Sequence, residues 1–247
     1  MKALILAAGR GTRIRSIHGE RPKCLISYEG EAILDHQING LFAAGIREIG
    51  IVVGYESGQI VRHVQARYRE CLHRFQFLHN PKFETTNNIY SLWMAREWLR
   101  GEPFIVLNAD VLCEPAILIP AVSPTTPISM IVDPEWREET MKVIIRNGHV
   151  IEMSKKISRR EFSGTYMGVT TFSAQAQHDF FECLDRIVGE GRVNEFFNVA
   201  VQELADNGMK VGFTSTAGLS WAEIDDPGDL AFAREHVFPK LHYASAA

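Results

Sequence analysis

The stretch from Met1 to Leu25 constrains what this chain can fold into more than any other. Ala3-Leu4-Ile5-Leu6 has no polar alternation, which predicts a short buried strand. It runs directly into Ala7-Ala8-Gly9-Arg10-Gly11-Thr12-Arg13, where two glycines let backbone approach a ligand closely. Successive backbone N–H groups in such a turn form a concave anion site, and Arg13 and Lys23 add full positive charges. Pro22 fixes the backbone angle just before Lys23 and so helps to aim that side chain. The expected feature is a phosphate cradle built from Leu6, Ala7, Ala8, Gly9, Arg10, Gly11, Thr12, Arg13 and Lys23.

Two familiar phosphate loops do not fit. A dinucleotide fingerprint needs a third glycine three residues after the second, and Ile14 stands there. A P-loop needs Gly-Lys-Ser/Thr in sequence, which is absent. Beyond the cradle, strand and helix patterns alternate. Leu34, Ile38, Leu41 and Phe42 recur at helical spacing between Ala32 and Ala44, with Gly45 placed to end the helix. Ile49–Val53, Phe75–Leu78 and Phe104–Leu107 read as strands. Gln59–Arg69 and Ile89–Leu99 read as helices, the second capped by Asn87 or Asn88. This alternation predicts a Rossmann-like α/β fold, a mostly parallel central sheet flanked by helices. Such sheets bind ligands beyond the carboxyl ends of their strands, where Gly9, Gly54 and Asp110 fall.

The second half changes character. Pro127–Val132 is a further strand, and Met141–Ile145 and Val150–Met153 flank Arg146-Asn147-Gly148, a strong hairpin signal. Gly164–Gly168 leads into a strand over Val169–Phe172. Helices follow over Ala174–Val188 and Glu195–Asn207, then a last short strand over Trp221–Ile224. No repeat, low-complexity tract or linker divides the chain, so one domain over residues 1–247 is expected.

A formal net charge of −4 supplies no basic field for nucleic acid. No basic segment followed by an apolar, cleavable stretch opens the chain, and no apolar run approaches membrane-spanning length. A cytoplasmic protein without a membrane partner is therefore expected. Cys24, Cys71, Cys113 and Cys183 are scattered without a Cys-x-x-Cys pair, which suggests neither a zinc site nor a disulfide framework. The nine histidines are likewise dispersed, and no Ser-His-Asp or Cys-His set stands out.

Asp110 and Asp225 each close an apolar strand, where a carboxylate is expensive unless paired or metal-bound. Two such carboxylates from distant parts of the chain suit one hard cation of the Mg2+ class. Asp226 reads differently: Asp226-Pro227-Gly228-Asp229 is a helix N-cap with proline at the first helical position.

The string Leu-x-Ala-Gly-x-Gly-Thr-Arg over Leu6–Arg13, followed by Pro22-Lys23-Cys24-Leu25, resembles the signature of nucleotidyltransferases that join an NTP to a phosphorylated small molecule. Glu223-Ile224-Asp225 resembles that family's late motif. The resemblance implies a nucleotide-binding half over about residues 1–112 and an acceptor half over about 113–247. It also implies Mg2+ held by Asp110 and Asp225, with Lys23 and Arg13 on the NTP phosphates. Asn80–Phe83 and Asn87–Leu92 are similar to a segment of bacterial phosphocholine and phosphonate cytidylyltransferases, which makes Asn88 and Ser91 nucleotide-binding candidates and CTP the expected donor. By the same resemblance Lys142 and Lys155 are suited to grip an acceptor phosphate, and Tyr166 is an aromatic candidate for the acceptor pocket. A phosphocholine enzyme needs aromatic faces for its quaternary ammonium. Thr140-Met141-Lys142-Val143 offers none, although Trp136 and Tyr166 lie near in sequence. The expected acceptor is therefore a small phosphonate or phosphate monoester and not a sugar phosphate, and the assembly a monomer or homodimer. Three rivals stand beside this reading: a sugar-1-phosphate nucleotidyltransferase, a nucleotide-sugar glycosyltransferase and a non-catalytic nucleotide sensor.

Overall fold

A computed structural model of the chain describes residues 1–241. The main elements of the first half are β1 (Lys2–Ala7), α1 (Ile33–Ala43), β2 (Glu48–Val53), α2 (Ser57–Arg67), β3 (Phe75–His79), α3 (Asn88–Leu99), β4 (Phe104–Asn108) and β5 (Val111–Cys113). The second half contributes β6 (Ile128–Asp133), β7 (Lys142–Arg146), β8 (His149–Ser154) and β9 (Gly164–Phe172). It continues through α4 (Gln177–Gly189), α5 (Asn198–Asp206), β10 (Val211–Ser215), β11 (Trp221–Glu223) and α6 (Pro227–His236).

The central sheet has the order β8-β7-β9-β4-β1-β2-β3, with β6 pairing to both β9 and β10. β1 lies between β2 and β4, parallel to both, and β3 extends the parallel set beyond β2. β9 enters antiparallel to β4, β6 and β7, so only β8 and β9 run against the other strands. The alternation of β1 explains why it has no wet face. Leu4 and Leu6 join a core with Ile89, Leu92 and Leu99 of α3 and Phe180 and Leu184 of α4. Ala3, Ile5 and Ala7 point the other way, into a core with Leu34, Ile38 and Leu41 of α1 and Ile60 and Val64 of α2. Both faces are covered by helices, as a parallel sheet of continuous apolar strands requires.

The β7–β8 hairpin turns at Asn147 (φ 50°) and Gly148 (φ 77°), the two positive angles that a tight primed turn needs. Some boundaries differ from the sequence expectation. β9 is one strand from Gly164, with its register against β6 shifted between Tyr166 and Thr170, where Gly168 has φ 86°. Gly164–Gly168 is therefore strand with a local irregularity rather than a lead-in. α5 begins at Asn198 rather than Glu195 because the preceding loop bonds elsewhere: the Glu195 carbonyl accepts from Ile89 N at 3.3 Å, and Phe197 N donates to Asn88 Oδ1 at 2.9 Å. β5 and β10 are short elements that the pattern did not announce. No helix among the described residues is long and apolar enough to cross a membrane.

Candidate active site

Three separated segments converge at the carboxyl ends of β1 and β4. Lys23 opens a single 3-10 turn, Lys23–Leu25, entered from Pro22 at φ −55°. Asp110 sits in the turn between β4 and β5. Asp225 follows β11, which pairs antiparallel with β5 so that Glu223 lies opposite Val111, and Ile224 N donates to the Asp110 carbonyl at 2.9 Å. Beneath them a third core, including Ile14, Ile26, Leu112, Ala222, Ile224 and Leu230, ties the cradle loop, the small sheet and α6 together. Sequence distance is thus closed by a two-stranded ladder and a shared apolar floor.

Lys23 Nζ donates to Asp110 Oδ2 at 2.6 Å and to Asp225 Oδ1 at 2.7 Å. The Arg13 guanidinium reaches Asp225 Oδ2 at 2.6 Å. Burial alone would lower the pKa of Lys23, but the two carboxylates outweigh it and keep the ammonium charged. Burial would likewise raise the Asp225 carboxyl, yet Lys23 and Arg13 hold it below the usual carboxylate range. Glu223 behaves oppositely: burial, then the Asp110 and Asp225 charges, push its carboxyl up to about 8. Asp110 Oδ1 is buried without a hydrogen-bond partner. A buried carboxylate oxygen left unpaired beside a second carboxylate is a donor set suited to a hard cation. Among the described residues, no three His, Cys, Asp or Glu side chains form a group that could hold a metal ion by themselves.

Gly11 makes room for this arrangement. It sits in the left-handed region at φ 60°, and a Cβ there would lie 2.9 Å from Lys23 Cβ. Gly9 faces open space instead, since a Cβ there would meet no protein atom within 4 Å.

A cleft of about 220 Å³ runs along this edge and is lined by Leu6, Ala8, Gly9, Arg13, Asn88, Ser91, Asp110, Lys155 and Asp225, all expected from the sequence. A smaller recess of about 110 Å³ behind it adds Ala7, Gly11 and Lys23. Asn88 is held by Phe197 N, and Ser91 Oγ accepts from Asn80 Nδ2 at 3.1 Å. Two cradle residues lie apart from the cleft lining. Arg10 pairs with Glu84, its guanidinium 5.7 Å from the Tyr55 ring centre, and Thr12 is exposed at the start of the Thr12–Ile14 turn. Two acceptor candidates lie apart as well. Lys142 is buried, its Nζ donating to the Thr140 carbonyl at 3.1 Å and resting 4.6 Å from the Trp136 ring centre. Tyr166 is buried with its hydroxyl on Thr170 Oγ1 at 2.8 Å. Neither lines the cleft.

The cleft also holds residues not expected from the sequence as site residues. Asn80, Asn108, Phe196 and Glu223 line it. Glu223 was legible: two residues before Asp225 in extended chain, its side chain falls on the same side. Phe196 carried no signal, because its place depends on the loop that Asn88 anchors. Beside the cleft, and sharing Arg13, Glu223 and Asp225, opens a second one of about 540 Å³ rich in carboxylates, among them Glu135, Glu138, Glu139, Asp226 and Asp229. Asp226 takes its expected role, accepting from Gly228 N at 2.7 Å and Asp229 N at 3.0 Å at the start of α6.

The arrangement matches known proteins along most of its length. Residues 3–150 match the MobA-like NTP transferase domain. The chain belongs to this family. It is a nucleotidyltransferase, as the cradle and its paired lysine led one to expect. A CTP:phosphoglutamine cytidylyltransferase from Campylobacter jejuni is 27% identical over 93% of this chain and 98% of that protein. A CMP-5'-(3-aminopropyl)phosphonate synthase from Streptomyces rubellomurinus is also 27% identical over 93% of this chain, but over 37% of that longer protein. Among solved structures, the inositol-1-phosphate CTP transferase from T. maritima superposes with a TM-score of 0.83 at 21% identity, covering 100% of this chain and 98% of that one. That likeness establishes the Rossmann-like nucleotidyltransferase fold.

Proposed function

We propose that this nucleotidyltransferase moves CMP from CTP to a small phosphonate or non-sugar phosphate monoester and releases pyrophosphate. One observation carries the reading: the Lys23 ammonium bridges Asp110 and Asp225 beside the glycine turn, with Arg13 on the same carboxylate. The names of the two 27% identical relatives, each joining a cytidine nucleotide to a phosphorus-bearing acceptor, support CTP as donor.

The chemistry follows from charge. Donor and acceptor are both anions, and two charges about 4 Å apart repel by about 4 kcal/mol at an effective dielectric near 20. Lys23, largely buried so that its charge is poorly screened, and the more exposed Arg13 counter that repulsion. A phosphate or phosphonate oxygen is already ionised at neutral pH, so no general base is required. That oxygen attacks the α-phosphorus in line, forms the new P–O bond and expels pyrophosphate, which carries away the bonding pair. The protein contributes position and charge rather than a covalent partner. Asp110 and Asp225 would hold Mg2+, the unpaired Asp110 Oδ1 included, and the ion would supply divalent charge against the triphosphate.

The test is pyrophosphate release across CTP, UTP, GTP, ATP and dTTP, each with 2-aminoethylphosphonate, hydroxylated and carboxylated phosphonates, phosphocholine and glucose 1-phosphate. CTP with a phosphonate or simple phosphate monoester should lead by at least about tenfold, and chelation of Mg2+ should abolish turnover. Preference for glucose 1-phosphate, or turnover that survives chelation, contradicts the reading.

A further inference from the structure

We infer that Phe196 is a specificity-determining residue for the acceptor, packing its ring on the acceptor's carbon atoms while Lys155 meets the phosphoryl group; this rests on the function proposed above. Phe196 is a large apolar side chain left 41% exposed, yet it lines the same cleft as Asp110 and Asp225. An exposed aromatic ring at the wall of a cleft that also holds charged side chains is a ready contact for ligand carbon.

Its position along the sheet says which ligand. The cleft follows the carboxyl ends of the strands. At one end stand the β1 turn and Asn80 after β3, on the side of the sheet that bears the cradle. In the middle stand Asp110 and Asp225. Further along stand Lys155, one residue past β8 on the opposite edge of the sheet, and Phe196, just before α5 and beside Asn88 of α3. A nucleotide whose phosphates lie on the Gly9–Arg13 turn leaves the Lys155–Phe196 end for the attacking partner. The two side chains already work as a pair, with Lys155 Nζ 5.7 Å from the Phe196 ring centre. The loop that carries the ring is fixed. Phe197 N donates to Asn88 Oδ1 at 2.9 Å, Asn87 N donates to the Val193 carbonyl at 2.9 Å, and Ile89 N donates to the Glu195 carbonyl at 3.3 Å. A ring presented on a loop pinned at three points needs little ordering on binding. The ligand chemistry that fits is a phosphoryl anion within one or two bonds of an alkyl carbon.

Steady-state kinetics of Phe196→Ala, Phe196→Leu and wild type test this, with the best donor and acceptor found in the panel. Removing the ring should raise the acceptor KM about tenfold with the nucleotide KM unchanged, and leucine should restore most of the loss. A raised nucleotide KM with an unchanged acceptor KM would assign the ring to the nucleoside and overturn the inference. So would unchanged constants in Phe196→Ala. The outcome is separate from that of the proposed function, because the same comparison decides with any donor and acceptor that wild type uses. Should wild type turn over nothing, titration of 2-aminoethylphosphonate in calorimetry settles it: weaker binding to Phe196→Ala supports the inference, and equal or no binding to both proteins rejects it.

Discussion

Lys23 carries two duties that a single substitution separates from the fold. Its ammonium pairs with both Asp110 and Asp225 and faces the same recess as Gly9 and Gly11. Lys23→Ala should lower kcat/KM by about a thousandfold, equivalent to about 4 kcal/mol of transition-state stabilisation, while circular dichroism is unchanged. Retention of more than about a tenth of wild-type activity would remove Lys23 from the reaction. The two glycines make a sharper contrast. Gly11→Ala forces a side chain into the left-handed region and against Lys23 Cβ, so it should lose about 1–3 kcal/mol of stability in urea titration as well as activity. Gly9→Ala meets no protein atom, so its stability should hold while nucleotide KM rises, because the added methyl stands where backbone approaches phosphate. Equal stability losses in the two variants would contradict this division.

At the scale of elements, α1 shows how the scaffold behind the cradle is held. Asp35 is fully buried, with Ala32 N at 2.8 Å, His63 Nε2 at 2.9 Å and the Tyr68 hydroxyl at 3.1 Å around its carboxylate. Burial would raise its pKa, but hydrogen bonds from His63 and Ala32, with the charges of His63 and Arg67, keep it below the ordinary value. A depressed folded pKa adds stability that is present above the unfolded carboxylate pKa, near 4, and is lost as pH falls through the folded value. Asp35→Asn should therefore cost about 1–3 kcal/mol at pH 7, and the gap from wild type should close toward pH 3. A gap independent of pH would mean that the charge of Asp35 adds nothing.

Much of this layer could be read from sequence, for identifiable reasons. The cradle and α3 are contiguous signals: a glycine turn after an apolar strand, and Asn87 accepting from Asn88 N at the start of its helix. Asp225 and Asp226 were separable because the cap of α6 is local chemistry, which leaves Asp225 free for the site. What stayed hidden depends on partners far along the chain. Val111–Cys113 becomes a strand only because Trp221–Glu223 lies against it. Which way Lys142 points is fixed by pairing with Thr165 across β7 and β9, and that register buries it against Trp136.

For the whole molecule, the sheet itself orders the reaction. The parallel set β4-β1-β2-β3 carries the cradle at its carboxyl edge, β9 joins the hairpin β7–β8 on the other side, and Asp110 and Asp225 stand where the two meet. On the proposed function, donor and acceptor would approach from the two sides and the phosphoryl bond would change hands between them. The central claim is attack by the acceptor's own oxygen on the α-phosphorus of the donor. It is tested most directly by running the reaction with CTP, Mg2+ and a phosphonate labelled with 18O in its phosphoryl oxygens, then locating the label by 31P NMR. The account predicts 18O in the bridge between the phosphonate phosphorus and CMP, with unlabelled pyrophosphate released. Label in the pyrophosphate, or release of orthophosphate and CDP, would contradict it.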